Sequence, residues 1–132
     1  MLYGNEVLES RIRSLLGTAQ EMTDSLENIF KLQNSFDKQV HNSERFPQSK
    51  SEQIDKICTA IIHEAVELQR LTNWKWWKQP KPLDEDAARE ELIDILHFVI
   101  SAAIKLDMTA ESFYYEYERK MQINKQRQEQ GY

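Results

Sequence analysis

Apolar residues return at steps of three and four along most of this chain and never settle into strand-like alternation, which confines it to helices. Leu26, Ile29, Leu32, Phe36 and Val40 mark one such series, and Ile54, Ile57, Cys58, Ile61, Ala65, Leu68 and Leu71 mark another. Only three Gly and three Pro interrupt 132 residues, and most stand where a break is needed. The first helical region runs from about Asn5 to about Val40, with a break expected near Gly17. A loop over His41–Lys50 follows, and Ser49 with Glu52 three residues on predicts a capping box for a helix reaching about Leu71. The connector Asn73–Leu83 holds Pro80 and Pro82 and cannot be regular helix throughout. Asp84 then caps an acidic first turn, which suits the helix dipole, and that helix continues to about Leu106. Thr109 caps a last helix to about Gln130, ended by Gly131. The expectation is an all-α bundle of four to five helices, one domain over residues 1–132.

Two acidic pairs interrupt the apolar pattern. Glu64 and Glu67, then Glu91 and Asp94, each stand three apart, so each pair shares one helix face. Such pairs are common on solvated faces, where they carry no function. Here both lie at the margin of the apolar stripe: Glu64 is one turn from Ile61, Glu67 precedes Leu68, and Asp94 sits between Ile93 and Ile95. Carboxylates at a core margin need pairing or a cation to offset desolvation. If the two helices pack side by side, the four converge, and hard divalent cations that take oxygen ligands are the natural counterpart.

Three further groups surround that idea. Every Trp of the chain falls in Trp74–Trp77, interleaved with Lys75 and followed by Lys78. That run serves either as a hydrophobic plug or partner contact, or as a stacking wall for a base beside phosphate-binding cations. His97 follows Asp94 by one turn; a satisfied core histidine is the ordinary role, and contact with a ligand hydroxyl the functional one. Lys120, Asn124 and Arg127 share a face of the last helix, either a solvated helix end or the cationic half of a triphosphate cradle.

The bulk chemistry narrows the class. A net charge of −5 argues against a general nucleic-acid binder, and mean hydropathy of −0.70 suits an exposed helical protein. Met1–Glu9 carries Glu6 and Glu9 without an apolar core, so no secretory leader is expected. Ile95–Ile104 is too short to span a bilayer. The single Cys58, expected in buried packing, favours a reducing compartment, and the location expected is cytoplasmic.

Taken together, the motifs resemble those of the all-α nucleoside triphosphate pyrophosphatases, the MazG-like superfamily. E-x-x-E at Glu64 and Glu67, then E-x-x-D at Glu91 and Asp94 after 23 intervening residues, looks like their signature. The Trp-Lys run, His97 and the ending K-x-x-x-N-x-x-R-Q-x-x-G-Y resemble more narrowly the dimeric dUTPases, over about Ile29 to Tyr132. The resemblance implies that Glu64, Glu67, Glu91 and Asp94 bind Mg²⁺, with Mn²⁺ able to substitute, and that Glu64 or Glu67 orients the attacking water. It implies that Gln33 lies near the base, that Trp76, Lys78 and His97 line the nucleotide pocket, and that Lys120, Asn124 and Arg127 contact phosphates and sugar. The chain is shorter than the protozoan dimeric enzymes and lacks room for their inserted helices, which puts strict uracil specificity in question. The activity implied is hydrolysis of a deoxynucleoside triphosphate, dUTP favoured, to the monophosphate and pyrophosphate. The alternatives are a housecleaning pyrophosphatase of broad specificity and a non-catalytic helical interaction module. The expected partners are the nucleotide and a second copy of the chain, as homodimer or dimer of dimers, with neither nucleic acid nor membrane.

Overall fold

The computed structural model describes Val7, Ser10–Ile12 and residues 24–131. Val7 and Ser10–Ile12 are helical, as expected for the start of the chain, whereas the expected break at Gly17 lies outside the described residues. Four helices follow: α1 (Ser25–Val40), α2 (Lys50–Arg70), α3 (Glu85–Lys105) and α4 (Ala110–Glu129). The caps explain the boundaries. The Ser49 hydroxyl accepts from the Glu52 N–H at 3.2 Å, and Asp84 Oδ1 accepts from the Ala87 N–H at 3.0 Å. The full reciprocal box stands at Thr109 and Ser112. Asp107, at φ 59°, takes the left-handed conformation that closes α3, and its carboxylate pairs with Lys50 at the start of α2. Gly131, at φ 80°, ends α4 as expected. Among the described residues no helix is long and apolar enough to cross a membrane.

The packing pairs are α2 with α3, α1 with α3, and α1 with α4. Glu67 near the end of α2 meets Glu91 near the start of α3, so those two helices run antiparallel. Phe30, Ile100 and Ala103 form the core cluster, with Leu26, Leu96, Ile104, Met108 and Phe113 packed against it. Phe30 and Phe113 meet edge to face with centroids 5.5 Å apart, which pins α4 to α1.

Two expectations about the stripes need correction. Cys58 is exposed, not buried. The buried register of α2 passes through Ile57, Ile61, Glu64, Leu68 and Leu71, and Cys58 and Ala65 fall one position beyond it, about 100° around the helix. On α1 the inward register is Leu26, Phe30, Gln33 and Asp37. The apolar series Ile29, Leu32, Phe36 and Val40 faces outward, with Leu32 73% exposed. The interior of α1 is therefore partly polar, and its greasiest side is uncovered.

Candidate active site

The side-by-side packing of α2 and α3 brings together three of the four carboxylates that the acidic spacing led us to expect. Glu64, Glu67 and Glu91 each bring a carboxylate oxygen within 4.8 Å of the others. Glu64 occupies a half-buried position of the inward register of α2. Oε2 of Glu64 and Oε2 of Glu91 are buried without a hydrogen-bond partner. Burial raises the pKa of Glu64 above the ordinary carboxylate range, and the charges of Glu67, Asp94 and Glu91 push it the same way. Glu91 is raised by burial first, then by Glu67, which touches both neighbours and is the central member. Asp94 stands outside the tight trio; its charge reaches Glu64 and Glu91, and its Oδ1 lies 3.9 Å from Nδ1 of His97.

Three crowded carboxylates, two of them with an unpaired buried oxygen, make a hard, oxygen-only donor set. Such a set fits a divalent cation of the Mg²⁺ or Mn²⁺ kind, which satisfies the orphaned atoms and cancels the repulsion together.

Beside this trio a cavity of about 370 Å³ opens between α1 and α3, walled by Ile29, Leu32, Phe36, Ile93, Leu96 and Ile100, with Gln33 and His97 as its polar members. His97 connects the two features, since it lines the cavity and faces Asp94. An apolar cavity with two polar groups, close to a candidate cation site, suits the base of a nucleotide whose phosphates reach the carboxylates.

Gln33 is held from behind. Its Nε2 donates to Asp37 Oδ1 at 2.9 Å and to Ser101 Oγ at 3.1 Å, and Ser101 Oγ donates to Asp37 Oδ1 at 3.0 Å. Asp37 and Ser101 are 4% and 2% exposed. Sequence reasoning reached Gln33 but missed both partners. The available signal was the polar pair Gln33 and Asp37, one turn apart in the same register as Leu26 and Phe30.

The remaining expected site residues lie further out. Trp76, 85% exposed, stacks edge-on against Trp77, which in turn meets Trp74, and Lys75 lies over the Trp74 ring at 5.2 Å. None of the three rings is buried, so the plug role is excluded. Asn73 ties the connector shut by accepting from the Lys81 N–H and donating to the Lys81 carbonyl, both at 2.9 Å. This loop starts one turn beyond Glu67 and gathers Arg70, Lys75, Lys78 and Lys81 around one recess. Lys120, Asn124 and Arg127 sit on α4, which packs against α1 and, through Phe113, against the core cluster.

A comparison with protein families matches residues 25–116 to the family described as dUTPase, a span that contains both acidic pairs, the Trp-Lys loop and the Gln33 cavity. No curated protein and no solved structure matches the chain.

Proposed function

The chain belongs to the dUTPase family, the all-α one, and on that premise we propose that it hydrolyses dUTP to dUMP and pyrophosphate with Mg²⁺ as cofactor. The family supports a dUTPase-like nucleotide pyrophosphatase in general. The observation that carries the finer reading is the carboxylate trio with its two orphaned oxygens, set beside an apolar cavity of base size.

Glu64, Glu67 and Glu91 would hold the cation, with Asp94 completing the acidic face. When bound, the ion neutralises charge on the phosphate oxygens and acidifies water in its shell. Glu67 is central in the trio and is the better placed of Glu64 and Glu67 to orient that water or take its proton. The pKa values of Glu64 and Glu91 are both raised, first by burial and then by the charge of Glu67 between them, as expected of carboxylates awaiting a counter-charge. His97 and Gln33 contact the nucleoside, and the connector supplies Trp76 and Lys78 as a stacking face and a phosphate cation. No covalent intermediate is required, because water is the nucleophile.

The face of α4 that carries Lys120, Asn124 and Arg127 enters through a second copy of the chain. Among the described residues the buried apolar side chains are few: Phe30, Ile57, Ile100 and Ala103. Outside them stand Ile29, Leu32, Phe36, Tyr114, Tyr117 and Met121, all exposed on α1 and α4. That core is thin for a lone domain of this length, and the uncovered faces are contiguous with the helix that carries Lys120, Asn124 and Arg127. Pairing through α1 and α4 covers the faces and brings cations of one chain toward the carboxylates of the other. Light scattering is expected to give at least twice the chain mass of 15.7 kDa; a monomer at micromolar concentration rules the pairing out.

The test of the activity is pyrophosphate release across dNTPs, rNTPs and dUDP with Mg²⁺. Preference for dUTP supports the narrow reading. Equal cleavage of many bases moves it to a housecleaning pyrophosphatase, and silence with both Mg²⁺ and Mn²⁺ leaves a binding module.

A further inference from the structure

The cavity between α1 and α3 has one feature that its apolar walls do not explain. Its single carboxamide, Gln33, is locked by two buried groups that never reach the cavity themselves. Asp37 as a carboxylate can only accept, so the amide must present nitrogen to it, and the 2.9 Å contact has that orientation. Ser101 reinforces it, since its hydroxyl proton is given to Asp37 at 3.0 Å and its lone pair faces the same amide nitrogen at 3.1 Å. With the nitrogen turned inward, the carboxamide oxygen is the end left for the cavity that Gln33 lines.

We infer that Asp37, with Ser101, is a positioning residue that turns Gln33 into a fixed hydrogen-bond acceptor, so that the cavity selects a base presenting a ring N–H. This inference rests on the nucleotide reading and deepens it. A lactam-type pyrimidine such as uracil offers N3–H to that oxygen. Cytosine offers a bare ring nitrogen at the same place, so two acceptors face each other and both lose their partners. A free glutamine would rotate to suit either base; the buried Asp37 removes that freedom. Sites that hydrogen-bond a substrate N–H or O–H reject analogues lacking it far more strongly than apolar pockets reject a change in size. The device therefore supplies a base preference that the walls of the cavity cannot.

Asp37 also links α1 to α3, which by itself would be a purely structural role. The two roles differ in what they do to the ratio of substrates. In Asp37→Asn the new amide can donate to the Gln33 oxygen, which lets Gln33 turn over and present its nitrogen to the cavity. The expected result is a fall of at least about tenfold in the dUTP-over-dCTP ratio of kcat/KM, carried mainly by a rise in KM for dUTP. Ser101→Ala, which keeps the carboxylate and alters little volume, is expected to move the ratio in the same direction by less, and it serves where Asp37→Asn does not fold. Parallel loss on both substrates with an unchanged ratio would overturn the inference and leave Asp37 as a helix tie. Equal cleavage of dUTP and dCTP by the parent protein overturns it as well, while leaving the hydrolase reading standing. A parent that releases pyrophosphate from no nucleotide overturns both.

Discussion

Glu67→Gln is expected to lower pyrophosphate release by about 10²–10⁴-fold, the usual contribution of a positioned general base, while making the metal-free protein more stable at neutral pH. The pairing of those two effects follows from geometry. Glu67 touches Glu64 on its own helix and Glu91 on the facing one, and its charge raises the pKa of both. A carboxyl whose folded pKa is raised favours the folded state below its unfolded pKa, and that contribution is lost as pH rises through the folded value. Without metal, the parent should therefore lose stability from mildly acidic pH toward neutrality. Replacing Glu67 by its neutral isostere removes repulsion from both neighbours, so the pH slope flattens. Mg²⁺ should stabilise the parent and do so less for the variant, because a ligand oxygen with charge has been lost. Thermal melts in chelator and in Mg²⁺, at about pH 5 and about pH 7.5, read the slope, and a pyrophosphate assay reads the activity. Activity that survives Glu67→Gln would remove Glu67 from the chemistry. A parent melt indifferent to Mg²⁺ would remove the trio as a cation site.

The part of this arrangement that is legible in the sequence is the part written in local spacing. Glu64 and Glu67 are neighbours on a helix because they stand three apart, whatever the fold does, and Ser49, Asp84 and Thr109 cap because their hydroxyl or carboxyl accepts from the N–H three residues ahead in the first turn. The side-by-side meeting of α2 and α3 is legible from two acidic pairs that make sense only together, whereas its antiparallel sense is read from the fold. What stayed hidden was rotation about each helix axis. Cys58 and Ile57 are both apolar, and nothing local decides which faces inward; the packing of α3 chooses Ile57 and leaves the thiol exposed. On α1 hydrophobicity points the wrong way. The side bearing Leu32 and Phe36 is greasier, yet Phe30 and the polar Gln33 and Asp37 face α3, because Ser101 there offers a hydrogen-bond partner sixty-four residues beyond Asp37. A long-range polar contact of that kind leaves no periodic trace, so Asp37 and Ser101 could be found only in the fold.

Ile100→Ala is expected to cost about 3 kcal/mol, as buried Ile→Ala changes commonly do, and to lower the melting temperature by about 10 °C. Ile100 is 1% exposed and sits against Phe30 and Ala103 in the small core cluster, where few other side chains can move in to refill the space. It is also the floor of the base cavity, so truncation deepens the slot and KM for the nucleotide should rise together with the loss of stability. Ile93, on the rim of the same cavity and about half exposed, provides the comparison. In a free protomer Ile93→Ala removes little buried surface and should cost under about 1 kcal/mol. Melts of the two variants at low and high protein concentration separate core from interface. A large loss at Ile100 and a small one at Ile93, both independent of concentration, place the core where Phe30, Ile100 and Ala103 meet. A loss at Ile93 that equals the one at Ile100, and shrinks as protein concentration rises, would mean that the rim is covered in solution by a second copy and that the nucleotide cavity is completed across that interface.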